Sequence, residues 1–458
     1  MHAPRWILVG TILGSGAVFI EGSVSIVALP AIARDFHLRI AGVQWVLNAY
    51  LLPLSALMLL GGALGDRFSR RRVFALGLAG FAVASIGCAV APNLPLLLLA
   101  RALQGAAGAL VVPNSLALLE TAYSGEARGA AVGHWAAWSA VSAAFGPLVG
   151  GWIVDSTSWR WVFVCVAPFA LAAVAAVSVN RDPPDVRDSR PVDYAGAVLV
   201  TLGLSGVVGA LTLGPETGFT SGWVLTAGGA GIACLAAFVL VERRARSPLV
   251  PPDVWRVRQF TGVNATTLAV YAALNGLFFL LMLQLQGSMG YSALRAGASL
   301  LPVNGLMLLL SPIAGRMASR IGPRVLMVSG CLVAAAGMLL FTRVKPGAHY
   351  VTSVVPATVV FGIGLSCLVA PLTSVALSAL GEARAGLASG VNNAVARLAG
   401  LLAVAGIPLA AGLGGVRELG GGALSSGFAR AMIICAALCA GGSVIAAVTI
   451  RDSEPGQR

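Results

Sequence analysis

Glu21 is the residue with the most evident chemistry in this sequence. The chain has 17 acidic residues, and Glu21 falls near the middle of a long apolar run, whereas Glu120 and Asp155 fall at the ends of theirs. A carboxylate at mid-bilayer is costly, and a carboxyl group in apolar surroundings can bind and release a proton near neutral pH. Glu21 therefore predicts a proton carrier or a counter-charge for a cationic substrate. The alternative is a structural acid that is hydrogen-bonded between helices.

Two basic residues are candidates for the same chemistry. Arg101 lies inside another apolar run, and an arginine close to Glu21 would favour the charged carboxylate and promote proton release. The alternative for Arg101 is that its side chain extends to the membrane surface. Histidine titrates near neutral pH, so His134 is a candidate for assisting the proton path, and the alternative is a hydrogen bond between helices.

The run Gly146–Gly151 combines proline with glycine. Pro147 frees a backbone carbonyl and kinks a membrane helix, while Gly146, Gly150 and Gly151 let a neighbouring helix approach closely. On its own, this run has the alternative of a simple packing motif.

A short polar segment between two apolar runs contains Asp66, Arg67, Arg70 and Arg71. An acid that faces arginines at the ends of helices predicts a latch that holds those ends together. The alternative is that the arginines only set the orientation of the chain in the membrane, and the two roles are compatible.

Polar and aromatic residues on the central runs are candidates for lining a substrate cavity. For each of them, packing or hydrogen bonding between helices is the alternative. The candidates are Trp45, Asn48 and Trp138 in the first part of the chain, and Asn275, Gln286, Asn304, Asn392 and Arg397 in the second.

Membrane helices are the elements that must position these residues. The chain is 58% hydrophobic and 10% charged, whereas a soluble domain carries about 25% charged residues. Continuous apolar runs of about 20 residues, the length that spans a bilayer, recur about fourteen times. The sequence therefore predicts an all-α integral membrane protein. The weakest pair of runs, 194–213 and 223–241, has the alternative of a single re-entrant element.

The net charge of +13 reflects membrane topology. Most Lys and Arg residues fall on the tails and on the even-numbered loops, which is the positive-inside pattern. We therefore expect a multi-pass protein of the cell membrane with both termini in the cytoplasm, and no nucleic-acid partner.

The sequence lacks the usual signs of an enzyme. It has no Gly-Lys-Ser/Thr phosphate loop, no nucleophile–base pair and no metal-ligand spacing. The seven cysteines lie in apolar runs and predict buried free thiols. We expect no catalytic residue, no cofactor and no metal, and an ion gradient as the energy source.

An internal repeat divides the chain. The segment 61–72 resembles the segment 315–324, and each follows the second span of a six-span half. Repeated halves are typical of secondary transporters, with the substrate site at their interface. The predicted division is a six-helix half at 1–180, a linker with two extra helices at 181–258, and a second six-helix half at 259–458.

Four motifs occur in order on the expected spans. They are Glu21-Gly22-Ser23 with Ala28-Leu29-Pro30; Gly62 through Arg71; Arg101 with Gln104 and Gly105; and Gly146, Pro147, Gly150 and Gly151. With these motifs the chain resembles, from the first span to the last, the major facilitator superfamily and specifically its fourteen-span drug:proton antiporters (QacA/EmrB-like). Ser69 and Ser142 stand where the family has glycine, and Ile26 and Val166 where it has asparagine.

The resemblance implies the major facilitator fold, with two six-helix halves and two additional central helices. It implies a proton-coupled antiporter that exports small amphiphilic compounds, such as drugs, antibiotics or secondary metabolites, by alternating access. Its partners would be the substrate, protons and the lipid bilayer, and we expect a monomer. The lack of a deep acid in spans nine to fourteen argues against divalent cations. The alternatives are a proton-coupled or facilitated metabolite transporter of the same superfamily, and a membrane receptor or scaffold without transport.

Overall fold

The chain folds into α-helices in the computed structural model, which describes residues 3–179, 193–245, 248–381, 384–414, 416 and 420–451. These residues contain no β-strand. The helices are α1 (Ala3–Asp35), α2 (Ile40–Arg67), α3 (Arg70–Val90), α4 (Leu94–Ala122), α5 (Gly125–Ser156), α6 (Arg160–Val164), α7 (Ala167–Ser178), α8 (Tyr194–Thr217), α9 (Gly222–Arg244), α10 (Arg258–Leu283), α11 (Ala293–Ala298), α12 (Leu301–Ile321), α13 (Pro323–Phe341), α14 (Val355–Ser378), α15 (Ala385–Ala410) and α16 (Gly421–Thr449).

In the described part of the chain, 14 helical segments are long and apolar enough to cross a membrane. This confirms the predicted all-α membrane fold. Two of these spans are built from two α-helices each: the sixth joins α6 and α7 at Arg160–Ser178, and the tenth joins α11 and α12 at Ala293–Ile321.

Side chains at the helix starts satisfy backbone N–H groups that have no partner within the helix. Asn93 accepts from the N–H of Leu96 at 3.0 Å at the start of α4. Asp193 accepts from the N–H of Gly196 at 2.8 Å at the start of α8.

The two middle spans are separate helices of 24 and 23 residues. The alternative of one re-entrant element was wrong. They pack closely because the glycines at the contact have no side chain: a Cβ on Gly206 or Gly231 would collide with the backbone of the other helix.

The contacts group the helices into two compact units. The first unit comprises Met1–Leu249 and Ser292–Gly297, and the second comprises Val250–Tyr291 and Ala298–Arg458. The two middle helices thus cluster with the first unit. The predicted three-part division stays a prediction, and part of its linker, 180–192, lies outside the described residues.

Within the first unit, α1 packs on α5 and α7, α2 and α3 pack on α4, and α8 packs on α2 and α9. The core is built from small and aliphatic side chains. Polar residues are also buried on α1 and α4, and among them Glu21, Arg101 and Gln104 are each fully buried.

Within the second unit, α13 packs on α14 and α16, and α10 packs on α15 and α16. At one end of this unit, Val254 and Phe260 form a small apolar cluster with Ala388 of α15. Beside it, Arg384 pairs with Asp253 at 2.6 Å. The Arg384 guanidinium holds the pKa of the Asp253 carboxyl below its ordinary value, chiefly by hydrogen bonding.

Candidate functional site

One face of α1 places Glu21 inside the first unit. Gly10, Gly14 and Glu21 follow one another at spacings of four and seven residues, about one and two helical turns, and so lie on the same face of the helix. A Cβ on Gly10 would meet Val177 of α7, and one on Gly14 would meet Phe74 of α3. This face of α1 therefore points into the helix bundle, towards α3 and α7.

Glu21 and Arg101 form an ion pair in which neither side chain is exposed to solvent. Nη1 of Arg101 donates a hydrogen bond to Oε1 of Glu21. The Ser25 hydroxyl, one turn along α1, donates to the same oxygen at 2.5 Å. The complete burial of Arg101 shows that the alternative of extension to the membrane surface was wrong.

Further groups hold the Arg101 guanidinium in place. Nε donates to the carbonyl of Val46 on α2 at 3.1 Å, and Nη1 also donates to Oε1 of Gln104 at 2.8 Å. The guanidinium carbon lies 4.4 Å from the centre of the Tyr50 ring and 5.6 Å from that of Phe163, close enough for cation–π attraction. Arg101 is thus fixed from α2, α4 and α6.

Gln104 links the pair to a third helix. Its Nε2 donates to the Ser85 hydroxyl on α3 at 2.8 Å, and that hydroxyl donates to the carbonyl of Phe81 at 2.7 Å. The Cys88 thiol lies 3.8 Å from Oε1 of Gln104. A polar network therefore extends from α1 through α4 to α3, in otherwise apolar surroundings.

The network leaves two polar atoms available. Among the described residues, Oε2 of Glu21 and Nη2 of Arg101 have no hydrogen-bond partner, although both are buried. Buried polar atoms of this kind are rare in native structures. Oε2 of Glu21 has free lone pairs that can accept a proton, whereas Oε1 is occupied by Arg101 and Ser25.

The network also contains Ser25, Ser85 and Gln104, for which the sequence had predicted no role in it. Ser25 follows Glu21 by four residues and Gln104 follows Arg101 by three, and residues at these spacings are neighbours on a helix. That spacing was a usable signal. Ser85 offers none, because only the packing of α3 on α4 brings it close.

His134 is exposed on α5, and its Nδ1 lies 2.7 Å from the carbonyl of Ala130 on the same helix. The described contacts include no hydrogen bond from His134 to the Glu21–Arg101 pair. One position along α5, Nε1 of Trp135 donates to the Ser15 hydroxyl of α1 at 2.9 Å.

The glycines of the run Gly146–Gly151 are contact points. A Cβ on Gly146 would collide with Ser23, and one on Gly150 would collide with Val24, both on α1. Gly151 lies instead against the backbone of Ala293. The run therefore lets α5 approach two other segments at once.

The predicted latch forms an ion pair within its own segment. Arg70 binds Asp66 through Nη2 at 2.7 Å and also donates through Nη1 to the carbonyl of Ala117 at 3.1 Å. Arg71 donates to the carbonyl of Ser178 at 3.1 Å. Arg67 lies 5.7 Å from the ring of Phe68. These contacts tie α2 and α3 to the ends of α4 and α7.

Ser69 occupies the position where the family motif has its last glycine. Its backbone is extended, with φ of 174°, a conformation that any residue adopts. Its hydroxyl accepts from the N–H of Arg72 at 3.5 Å. A serine that caps α3 therefore replaces the glycine without backbone strain.

The cavity candidates of the first unit lie in different surroundings. Trp45 lies against Gly209 of α8. Asn48 is fully buried, and its amide has no hydrogen-bond partner among the described residues. Trp138 is 54% exposed.

In the second unit, Asn392 of α15 donates to Thr267 at 2.8 Å and to Asn264 at 3.3 Å, both on α10. Asn275 donates to the carbonyl of Tyr271 at 2.8 Å. The remaining candidates differ in burial: Gln286 is buried, and Asn304 and Arg397 are half-buried.

The model of the Major Facilitator Superfamily matches residues 11–404. The puromycin resistance protein pur8 of Streptomyces alboniger is 38% identical over 88% of this chain and 81% of its own length. The chain belongs to the major facilitator superfamily.

Two further relatives match this chain at comparable identity and coverage. The tetracenomycin C resistance and export protein of Streptomyces glaucescens is 32% identical over 89% of this chain and 76% of its own. The multidrug resistance protein Stp of Mycobacterium tuberculosis is 30% identical over 90% and 77%.

Solved structures agree on the fold. A bacterial homolog of the human lysosomal transporter Spinster has a TM-score of 0.66 at 18% identity, covering 98% of this chain and 97% of its own. A POT family peptide transporter has a TM-score of 0.71 at 13% identity, covering 99% and 98%.

Membership of the major facilitator superfamily confirms the family predicted from the motifs. The chain is a multi-pass membrane transporter that handles small molecules. The same membership supports the expectation that it is not an enzyme.

Proposed function

We propose that this chain is a proton-coupled antiporter that exports small amphiphilic compounds by alternating access. The observation that carries the proposal is the Glu21–Arg101 ion pair, buried between α1 and α4, in which one carboxylate oxygen has no hydrogen-bond partner among the described residues. In this proposal the chain lies in the cell membrane with both termini in the cytoplasm, which the distribution of Arg and Lys favours.

Protonation of Glu21 supplies the coupling. A proton on the carboxylate removes the counter-charge of Arg101, and leaving one member of a buried ion pair alone costs about 3–5 kcal/mol. Arginine does not lose its proton in proteins. The protonated site must therefore rearrange or admit water, and a ligand that changes the relative free energies of two conformations drives a population shift.

The burial of Glu21 favours the proton role over the counter-charge role. Its side chain is 0% exposed, and one oxygen is already bound by Arg101 and Ser25. A proton fits on the free oxygen, whereas a cationic organic substrate is much larger and needs space that a fully buried side chain does not offer. We place the substrate elsewhere and assign to Glu21 the proton alone.

The energy of one proton is sufficient for export. Moving one charge across 100 mV is worth about 2.3 kcal/mol, and a difference of one pH unit adds about 1.4 kcal/mol. The sum corresponds to a concentration gradient of a few hundredfold for a neutral substrate. The names of the relatives, which describe resistance to puromycin and export of tetracenomycin C, favour antibiotic-like amphiphiles as substrates.

The Asp66–Arg70 pair and the Arg71 contact support the predicted latch on the cytoplasmic side. They connect the ends of four helices of the first unit. An exposed ion pair is worth about 0–1 kcal/mol, a strength that suits a contact that opens and closes in each cycle.

The decisive experiment is Glu21→Gln in membrane vesicles with an imposed pH gradient. With puromycin as the probe, we expect gradient-driven transport to disappear while puromycin binding remains. The matched control is Glu120→Gln, which removes an acid at the end of α4 and should keep transport.

Three results would contradict the proposal. Gradient-driven transport that survives Glu21→Gln would exclude the proton role. Transport in the direction of proton movement would identify a symporter, and counterflow without any response to pH would identify a facilitator.

A further inference from the structure

Asp155, near the end of α5, caps a helix that lies 138 residues away in sequence. Its Oδ1 accepts from the N–H of Ala293 at 3.0 Å, and its Oδ2 accepts from the N–H of Leu294 at 2.8 Å. The third N–H, from Arg295, is capped locally by Ser292 at 3.2 Å. The first N–H groups of a helix lack partners within it, so Asp155 supplies the cap that α11 cannot provide for itself.

The two segments also interlock through their backbones. A Cβ on Gly151 would collide with the backbone of Ala293, and a Cβ on Gly297 would collide with the carbonyl of Pro147. The segment Ser292–Gly297 therefore lies directly on the last turns of α5. These contacts and the two hydrogen bonds of Asp155 all belong to the first unit.

The tenth span passes from the first unit to the second immediately after this segment. Ser292–Gly297 clusters with the first unit, whereas the chain from Ala298 clusters with the second. The regular helix is interrupted at the same place, because α11 ends at Ala298 and α12 begins at Leu301. A movement of α12 relative to α5 must therefore either break the bonds of Asp155 or bend the chain at 299–300.

We propose that Asp155 is a positioning residue of the transport cycle, which fastens the start of the tenth span to α5 and must release it each time the outer side opens. The inference rests on the proposed function, in which this end of α5 faces outside. When a hydrogen bond from a backbone N–H to an exposed carboxylate breaks, water can replace both partners. The two bonds of Asp155 can therefore hold the segments together in one conformation and break in the other at a small cost in free energy.

The first measurement is the rate at which a cysteine at position 293 is labelled, which reports whether the contact with α5 is closed. Ala293 is 3% exposed, so Ala293→Cys introduces a thiol that is covered while the contact is closed. In intact cells, a membrane-impermeant maleimide should label this thiol about tenfold faster when Asp155→Ala is added, as expected for the loss of a helix cap. The chain without Ala293→Cys gives the background from its native cysteines.

The control variant removes an acid from the same predicted side. Asp35 is bonded to Arg160 at 2.8 Å and to Trp159 at 3.0 Å. Asp35→Asn should leave the labelling of Ala293→Cys unchanged.

The second measurement, of export kinetics, tests whether the contact of Asp155 opens and closes during transport or is only structural. Asp155→Ala should lower the maximal rate of puromycin export and raise its apparent KM, because more of the protein faces outward. Asp155→Asn keeps an acceptor oxygen and should restore most of both values. If Asp155→Ala does not reach the membrane, Asp155→Ser gives the same comparison with a shorter acceptor.

Each outcome decides the proposal. An unchanged labelling rate of Ala293→Cys in Asp155→Ala would show that Asp155 does not hold the start of the tenth span on α5. Faster labelling with unaltered export kinetics would show that the contact is structural and does not open during transport. Wild-type protein that fails to export puromycin, with labelling still faster in Asp155→Ala, would overturn the export function and leave the fastening supported.

Discussion

Replacing Glu21 alone should destabilise the folded protein more than replacing Glu21 and Arg101 together. Glu21→Gln keeps the size of the side chain but leaves the Arg101 charge without a counter-charge in a site with no exposure to solvent. Removing one partner of a buried pair costs about 3–5 kcal/mol. Replacing both partners by neutral groups of similar volume is often nearly neutral, so adding Arg101→Met should restore most of the loss.

The structure sets the expected magnitude at the lower end of that range. After Glu21→Gln, Arg101 still donates to the carbonyl of Val46 and to Gln104, and still faces the Tyr50 ring. The glutamine oxygen also remains a neutral acceptor. We therefore expect a loss of about 3 kcal/mol, which corresponds to roughly 6 °C in Tm if the first unit unfolds as one.

Thermal unfolding in detergent measures this loss directly. The described cysteines are free, and Cys88 lies buried beside the pair, so a thiol-reactive fluorescent dye reports unfolding. The set is wild type, Glu21→Gln, Arg101→Met and the double variant, analysed as a double-mutant cycle. A double variant as unstable as Glu21→Gln would refute the reasoning, because the loss would not then come from the uncompensated charge of Arg101.

The two single variants should respond differently to pH. After Arg101→Met, Glu21 can lose its charge by binding a proton, so this variant should regain stability relative to wild type as the pH falls. After Glu21→Gln, Arg101 keeps its charge at every accessible pH, and its deficit should stay constant. Parallel pH profiles of the two variants would count against the assignment of Glu21 as the group that takes the proton.

Two further predictions concern packing and a surface ion pair. Gly146→Ala should abolish export and lower Tm, because its Cβ would collide with α1, whereas Gly133→Ala on the same helix has open space and should be tolerated in both assays. Asp253 has its pKa lowered by Arg384, so the contribution of this pair should be present above the ordinary carboxyl pKa of 3.8 and disappear as the pH falls through the lowered value. The Tm difference between wild type and Asp253→Asn should accordingly shrink towards acid pH, and a difference that grows instead would contradict the assignment.

Hydropathy and charge made the fold predictable, because lipid is a uniform solvent. A span must be apolar over about 20 residues and must satisfy its own backbone, and both requirements are visible in a single chain. The described part of the chain accordingly has 14 such helices. The pair 194–213 and 223–241 was ambiguous, because its connection is short and hydropathy alone does not show whether a chain turns inside the membrane.

The site was partly predictable for a related reason. A charge inside an apolar run is costly, so Glu21 and Arg101 stand out without any structure. Their partners are less evident, because Ser25 and Gln104 are marked only by their helical spacing from Glu21 and Arg101, and Ser85 is not marked at all. Only the approach of α1, α3 and α4 shows that these three side chains complete one network.

The partners of Asp155 could not be predicted from the sequence. An acid at the end of a span is readily solvated, and nothing in the neighbouring sequence links it to residues more than a hundred positions away. The lipid surroundings, the number of spans and the two charges that must be neutralised could all be inferred from the amino-acid sequence, because each follows from the cost of placing a group in lipid. The groups that neutralise these charges and the partners of Asp155 became visible only in the folded chain, because hydrogen bonds between distant segments depend on how the helices pack and not on what each helix contains.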